Sequence, residues 1–353
     1  MNVLHIDGAR RWGGGQNQVR LLMQGLARCN VRQLCVCPRG SPLETRLHSL
    51  HMPVAGIAWP RGADPRVMAH LFRRSRDVDL IHCHDAHALQ LALLPARLRH
   101  IPVIATRRVL FRTSPGKWNR ATRVIAISDP VRDRLVNSGV RADRIRMIPS
   151  GIDVEEVAAL PFASPGLRDR LSISNDRFLA GNIGTLLDFK HQRLIPHAAA
   201  HARDIMWVIV GDGPERANLE EAIKSHGVTA NVWLTGGVSD ARLYLREMDA
   251  FVFPSKGEAL GTSILDAMAM GVPVVAADDG GPAQVLAPVH AQTGVNLFPL
   301  DHAAVLAAHV RRLRDDLPLR HRVAALQRER VLEFGIARTV EGTLELYREL
   351  VEE

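Results

Sequence analysis

Along the chain, short apolar runs rich in β-branched residues alternate with longer stretches whose apolar positions recur every three or four residues. That alternation is the mark of βαβ units and parallel sheets. In the first half it predicts strands at Asn2 to Ile6, Arg32 to Cys37, Leu80 to His84, Val103 to Thr106, Val124 to Ile127 and Arg146 to Ile148. Helices are predicted between them at Gln16 to Cys29, Leu43 to Leu50, Pro65 to Arg74, Ala86 to Leu98 and Pro130 to Ser138. The alternation then starts afresh, with strands at Arg177 to Asn182, Trp207 to Val210, Val232 to Thr235, Ala250 to Phe253 and Val274 to Ala276.

Between the two series runs Pro149-Ser150-Gly151-Ile152-Asp153, followed by Pro161, Pro165 and Gly166, a density of proline and glycine that predicts a loop and an interdomain linker. With 353 residues, two domains are expected, 1–155 and 156–333, and the remainder, 334–353, reads as one or two terminal helices. No repeat of solenoid length and no low-complexity segment interrupts the pattern.

Composition changes this picture little: 46% hydrophobic and 23% charged residues are the balance of a globular protein with a large core. No apolar run is long enough to span a membrane, and Met1-Asn2-Val3-Leu4-His5-Ile6-Asp7 lacks the layout of a signal peptide, so a cytoplasmic location is expected. Cys29, Cys35, Cys37 and Cys83 are irregularly spaced and are expected to be reduced, mostly buried thiols. The formal charge of +8 points to an anionic partner such as a phosphorylated sugar, an anionic lipid or nucleic acid. Only four basic residues are lysines, and two of these, Lys190 and Lys256, fall within motifs.

The strongest motif runs from Pro254 to Ala276, where a strand ends at Phe253, a loop of small residues follows, and a helix runs from about Thr262 until Gly271 stops it. Such a turn aims free backbone N–H groups near Gly261 and Thr262, and the positive end of the helix dipole, at the loop, where a diphosphate would fit. Glu258 on the loop and Asp266 two turns into the helix could meet different hydroxyls of one ligand. Taken singly, each would be read as a helix cap or a solvated carboxylate. At the other end of the chain, Trp12-Gly13-Gly14-Gly15-Gln16-Asn17 follows the first strand and opens the first helix, so the backbone at Gly14 and Gly15 could approach a phosphate or sugar closely.

These motifs together resemble the family-4 retaining glycosyltransferases of GT-B fold, and the likeness spans nearly the whole chain. The resemblance implies an α/β architecture of two Rossmann-like domains with parallel sheets facing across a cleft. The acceptor would bind to the first domain, the nucleotide-sugar donor to the second, and the terminal helix would return to the first. It assigns Glu258 to the donor sugar and Asp266, one methylene shorter than the family's glutamate, to the ribose. In Gly184-Thr185-Leu186-Leu187-Asp188-Phe189-Lys190, Lys190 is retained to grip the donor diphosphate, and Thr185 stands where the family has arginine. Gly211-Asp212-Gly213-Pro214-Glu215 matches a further family turn, placing Gly213 on the donor side, and the loop of Gly14 and Gly15 would close over donor and acceptor. Arg108 stands where members commonly have a histidine; a guanidinium cannot act as a base at neutral pH but can stabilise a leaving diphosphate or bind an anionic acceptor. His84 and Asp85 would border the acceptor.

The implied reaction moves a sugar from a nucleoside diphosphate, with UDP favoured, to a hydroxyl of a glycan or lipid-linked acceptor, with retention, no cofactor and no metal. His82-Cys83-His84-Asp85 lines up four metal-ligand types, but alternate residues of a strand face opposite ways, and Asp77-Val78-Asp79 reads as a solvated turn. Arg107, Arg108, Arg112, Lys117, Arg120 and Arg123, mixed with Leu110, Phe111 and Trp118, suit an anionic membrane surface across residues 107–123 as well as a plain solvated face. No nucleic-acid motif accompanies the charge. Two other functions fit the same fold: a nucleotide-sugar epimerase or hydrolase, and a non-catalytic binding protein, the latter suggested by the altered positions Thr185, Arg108 and Asp266.

Overall fold

The computed structural model describes residues 1–60 and 62–352. The chain divides into two compact units, one of Met1–Ile152 with Phe334–Glu353 and one of Asp153–Glu333.

The first unit is built on seven strands: β1 (Asn2–Ile6), β2 (Arg32–Pro38), β3 (Val54–Ile57), β4 (Leu80–Cys83), β5 (Val103–Arg107), β6 (Arg123–Ala126) and β7 (Ile145–Met147). They lie in the order β3-β2-β1-β4-β5-β6-β7, and every pairing is parallel. The order reverses beside β1, which pairs with β2 on one side and β4 on the other, so the loops after β1 and β4 splay apart and leave a crevice at the strands' carboxyl ends. The strand β3 was not among those predicted: its four residues include Gly56 and sit at the sheet's edge, where too little apolar sequence is needed to make a signal.

The terminal helix Ile336–Glu352 belongs to this unit and packs on the helix Gly14–Arg28. Close approach there depends on Gly25, because a Cβ at that position would lie 2.3 Å from Val340. Leu22 and Leu26 from the first helix and Tyr347 and Leu350 from the last share one buried cluster with Leu80, Ile104 and Ile125 of the sheet.

The second unit has six strands, β8 (Leu179–Ile183), β9 (Met206–Val210), β10 (Val232–Gly236), β11 (Ala250–Phe253), β12 (Val274–Ala277) and β13 (Leu297–Phe298), in the order β10-β9-β8-β11-β12-β13, all paired in parallel. Its core gathers Trp207, Ile209, Val252, Val275 and Phe298 with the helix residues Leu306 and Val310. The two-residue β13 also escaped prediction, since a pair of apolar residues has no period to read.

The proline-rich stretch expected to be a loop is corrected in part. Residues Val154–Ala158 form a short helix, because the Asp153 carboxylate accepts the amide of Glu156 at 2.9 Å and so caps the first turn. The division between units falls at Ile152/Asp153, three residues before the expected 155/156 boundary.

Candidate active site

In the second unit the loops after β8 and β9 are zipped together by backbone hydrogen bonds, Gly184 N to Val210 O at 3.0 Å and Leu186 N to Asp212 O at 3.0 Å. The close approach explains two glycines. Gly211 has φ +154, and a Cβ there would lie 2.0 Å from the Gly184 carbonyl; one at Gly213 would lie 2.4 Å from the Leu186 carbonyl. The missing side chain of Gly213 is therefore accounted for by chain packing. The joined loops present Thr185 to solvent and lead into a 3-10 turn, Asp188–Lys190.

Lys190 reaches across to the loop after β11, where its Nζ forms an ion pair with Glu258 Oε2, both side chains being largely shielded. The ammonium also lies 5.2 Å and 5.1 Å from the ring centroids of Phe189 and Phe253, where ring faces favour a cation. The two loops are tied further by Lys256 N donating to Phe189 O at 2.7 Å. Beyond Glu258, Gly261 takes φ +82, which an L side chain rarely adopts, and turns the chain into the helix Thr262–Ala269. No side chain caps that N-terminus, so the amides of its first turn and their partial positive charge stay directed at whatever occupies the loop.

The Glu258 loop is supported from below by the start of the helix Gly280–Thr293. Gly281 N donates to Glu258 O at 2.9 Å, the Gly257 amide donates to Asp279, and a Cβ at Gly281 would fall 2.2 Å from the Ala259 carbonyl. Asp279, Gly280 and Gly281 were missed in the sequence. A signal was present, since Asp278-Asp279-Gly280-Gly281 follows β12 and opens a helix, the same strand–glycine–helix arrangement as the motif before it.

Asp266, on the helix Thr262–Ala269, keeps some exposure, but the surrounding protein desolvates it and pushes its carboxyl up to about 7; nearby Arg242 opposes the rise, while Asp240 and Glu156 add to it. Arg242 is itself gripped by Asp240 at 2.7 Å and lies 3.9 Å from Glu156. Neither Arg242 nor the two acids was foreseen, because no spacing in the chain links residues 156, 240 and 266.

In the first unit, Gly14 and Gly15 begin the helix Gly14–Arg28, which also lacks a side-chain cap, and a Cβ on Gly15 would meet nothing within 4 Å. Asp7, after β1, is buried beside them; burial and then neighbouring Asp85 raise its carboxyl to about 6, opposed by the Ala9 amide, Gln16 and Arg108. Asp85 holds the local backbone in place. One of its oxygens caps the helix Ala86–Arg99 through the amides of His87 and Ala88 at 2.7 and 2.9 Å, and the other accepts Gly8 N at 2.6 Å.

His84 belongs to a buried histidine column with His5 and His82. Arg108 donates to the His84 carbonyl at 3.2 Å and lies 3.5 Å from its Nδ1, and a guanidinium only donates. His84 Nδ1 is then the acceptor, so its Nε2–H donates to His5 Nδ1 at 2.9 Å, and His5 Nε2–H donates to Gln33 Oε1 at 3.0 Å. His82 bonds the Tyr347 hydroxyl at 2.5 Å and Thr106 at 2.6 Å. Burial holds all three histidines below their usual range and hence neutral at pH 7. Three such nitrogens lie within 4.8 Å of one another, but every ring nitrogen of the three histidines already has a hydrogen-bond partner within the protein. The column's evident product is a fixed Arg108, whose pKa burial lowers to about 10 against the pull of Asp7 and Asp85.

Within the second unit, then, Lys190, Glu258, Gly261 and Thr262 share one loop cluster. Asp266 stands further along the same helix, and Thr185 and Gly213 lie on the adjoining loops. Within the first, Gly14, Gly15, His84, Asp85 and Arg108 all follow the carboxyl ends of β1, β4 and β5. Within the segment 107–123, Arg107 and Trp118 turn inward, the guanidinium 5.3 Å above the indole.

Comparison with known proteins settles what this fold belongs to. The family model for Glycosyl transferases group 1 matches residues 165–330, and that for Glycosyltransferase Family 4 matches residues 12–156, so that together they take in most of the chain. The chain belongs to the group 1, family 4 glycosyltransferases. This glycosyltransferase is 28% identical over 359 residues to the alpha-D-kanosaminyltransferase of Streptomyces kanamyceticus, covering 87% of the chain and 92% of that relative. It is 27% identical over 304 residues to the GDP-mannose-dependent alpha-mannosyltransferase of Mycobacterium tuberculosis, covering 78% of each. Its fold matches that of Anabaena HepE, crystallised in complex with UDP, at a TM-score of 0.85 and 21% identity over 99% of the chain and 100% of HepE. The fold is thus GT-B, with Rossmann-like parallel sheets in both units. Among the described residues of the glycosyltransferase, no helix is long and apolar enough to cross a membrane. Its four cysteines are free, and Cys29, unlike the other three, is exposed.

Proposed function

We propose that this glycosyltransferase moves a hexose or related sugar from a nucleoside diphosphate, UDP in the first instance, to a hydroxyl of a glycan or lipid-linked acceptor, with retention and without need of a metal. The observation that carries the reading is the pairing of Lys190 with Glu258 beside the uncapped N-terminus of the helix Thr262–Ala269. A lone ammonium held over two aromatic rings, next to unpaired amides, is a site for an anion, and the carboxylate that now satisfies it can turn to sugar hydroxyls when a diphosphate takes its place. That HepE and its UDP-glucose complex share the fold supports a UDP-sugar as the first donor to try.

In the proposed reaction the bond between the sugar's anomeric carbon and the β-phosphate oxygen breaks, and a bond from the acceptor oxygen to that carbon forms on the same face. The acceptor proton passes to the departing phosphate. Lys190 and the amides near Gly261 and Thr262 offset the charge on the leaving diphosphate, worth several kcal/mol in a partly desolvated site. Asp266 holds the ribose, and donor binding is assigned to the second unit. Acceptor binding is assigned to the first, where Arg108, fixed by His84, is suited to an anionic acceptor.

The test is turnover of radiolabelled UDP-glucose and related donors with and without hydroxylated acceptors. Sugar transfer that requires acceptor supports the proposal. Epimer or free sugar formed at the full rate without acceptor would assign the site to epimerisation or hydrolysis, and tight UDP binding without turnover on any donor would make it a binding protein.

A further inference from the structure

The first unit carries a groove of about 800 Å³ on the side of the sheet away from the candidate residues. Ile101, Thr122 and Arg144, which line it, sit just before the amino ends of β5, β6 and β7, whereas the candidate residues follow the carboxyl ends of their strands. One wall is the outer face of the helix Ala86–Arg99, contributing Leu93, Leu94 and Arg97; the other includes Lys117 and Arg120.

Two features set this groove apart. Arg97, Lys117, Arg120 and Arg144 line it, and no aspartate or glutamate does. Among the described residues the side chains of Arg97, Lys117 and Arg120 have no ion-pair partner. Burial and nearby Arg107 lower the pKa of Lys117, with only Asp85 opposing, as expected of a cation among cations. The helix is also apolar on the wrong side: Leu89, Leu91 and Ala92 are buried against the unit, yet Leu94 and Leu98 stand 52% and 61% exposed at i, i+4 spacing, with Arg97 between them. A surface helix ordinarily keeps that face polar.

We infer that this face docks on an anionic phospholipid bilayer, with a lipid phosphate in the groove against Arg97, Lys117 and Arg120, and with Leu94 and Leu98 set among the acyl chains. Unpaired cations around an acid-free groove complement the lipid phosphates, and the flanking leucines gain by leaving water for hydrocarbon, the two ingredients that hold a protein at a membrane surface without a spanning helix. The inference goes beyond sugar transfer and does not depend on it, since binding to lipid is measured without donor or acceptor.

The experiment is co-sedimentation of the full chain with vesicles of phosphatidylcholine alone or with one third phosphatidylglycerol. Binding is expected only to the anionic vesicles. The variants R97Q/K117Q/R120Q and, separately, L94Q/L98Q are each expected to lower the partition coefficient by about tenfold or more. R28Q/R32Q/R338Q removes three exposed charges from elements of the same unit other than the docking helix and the helix packed on it, and is expected to stay within about threefold of the unsubstituted protein. Unchanged melting temperatures show that the variants fold. The inference is overturned if the unsubstituted chain stays in the supernatant, if the control triple falls as far as the groove triple, which would mean adsorption by net charge alone, or if the leucine pair can be replaced without loss.

Discussion

Lys190 and Glu258 stand 68 residues apart in the chain and meet as an ion pair between two loops of one unit. Nothing in either local sequence dictates that meeting: a lone lysine after a turn and a lone glutamate in a glycine loop are each ordinary surface residues, and the family resemblance assigned one to the diphosphate and the other to the sugar without foreseeing their ion pair. Replacing either by alanine should cut transfer about 100- to 1000-fold, the scale of losing one charge-stabilising group, while melting temperature shifts by only a few degrees. Near-normal turnover in both variants would remove them from the site. Asp266 supports a separate prediction. Its carboxyl is raised from 3.8 to about 7 by burial, so the folded protein holds this proton more tightly than the unfolded chain, and ionisation costs stability as pH rises through that window. Asp266→Asn should therefore gain in melting temperature relative to the unsubstituted protein as pH rises from about 4 to about 7. A difference independent of pH would show that Asp266 is well solvated. The main cause, burial of the carboxyl, and the additions of Asp240 and Glu156 against the opposing Arg242, were invisible in the sequence because separate elements of the unit supply them.

At the scale of elements, most strands were readable in the sequence as short apolar runs between helical patterns, since a strand buried on both faces must be largely apolar along its length. The strands β3 and β13 were not, one an edge strand containing glycine and the other only two residues long. Caps account for another difference, as Asp153 starts a helix inside a stretch whose prolines pointed to a loop. Steric fit between elements was equally hidden. The start of the helix Gly280–Thr293 lies so close beneath the Glu258 loop that Gly281→Ala would set a methyl group against the Ala259 carbonyl, and backbone cannot swing aside as a side chain does. This variant should lower turnover by about tenfold or more, with a loss of stability of about 1–3 kcal/mol, measured by steady-state kinetics and denaturant melts. An unaffected rate would mean that the position of the loop is not set from below.

For the molecule as a whole, the chain leaves its first unit at Ile152 and returns to it at Phe334, so the first unit is assembled from two stretches of chain separated by the whole of the second. Contact between the first and last helices passes through Gly25, where a leucine would drive into Val340. Gly25→Leu should cost about 1–3 kcal/mol, read as a lower melting temperature, and combining it with Val340→Ala should recover part of that loss. Equal stability of the single variant and the unsubstituted chain would show that the terminal helix is only loosely held. The two-sheet architecture was legible because its periodic pattern begins twice. The histidine column behind Arg108 was not, since it draws on β1, β4 and the side chain of Gln33 on β2.

The claim on which the proposed activity rests is that the donor's diphosphate binds the second unit at the Lys190 and Glu258 loops. A crystal structure of the complex with UDP-glucose or UDP tests it most directly. The expected result is Lys190 Nζ turned from Glu258 to a phosphate oxygen, the amides of Gly261 and Thr262 within hydrogen-bonding distance of the diphosphate, and Asp266 on the ribose. A nucleotide bound in the first unit, or one bound while the Lys190–Glu258 pair stays closed, would contradict the account.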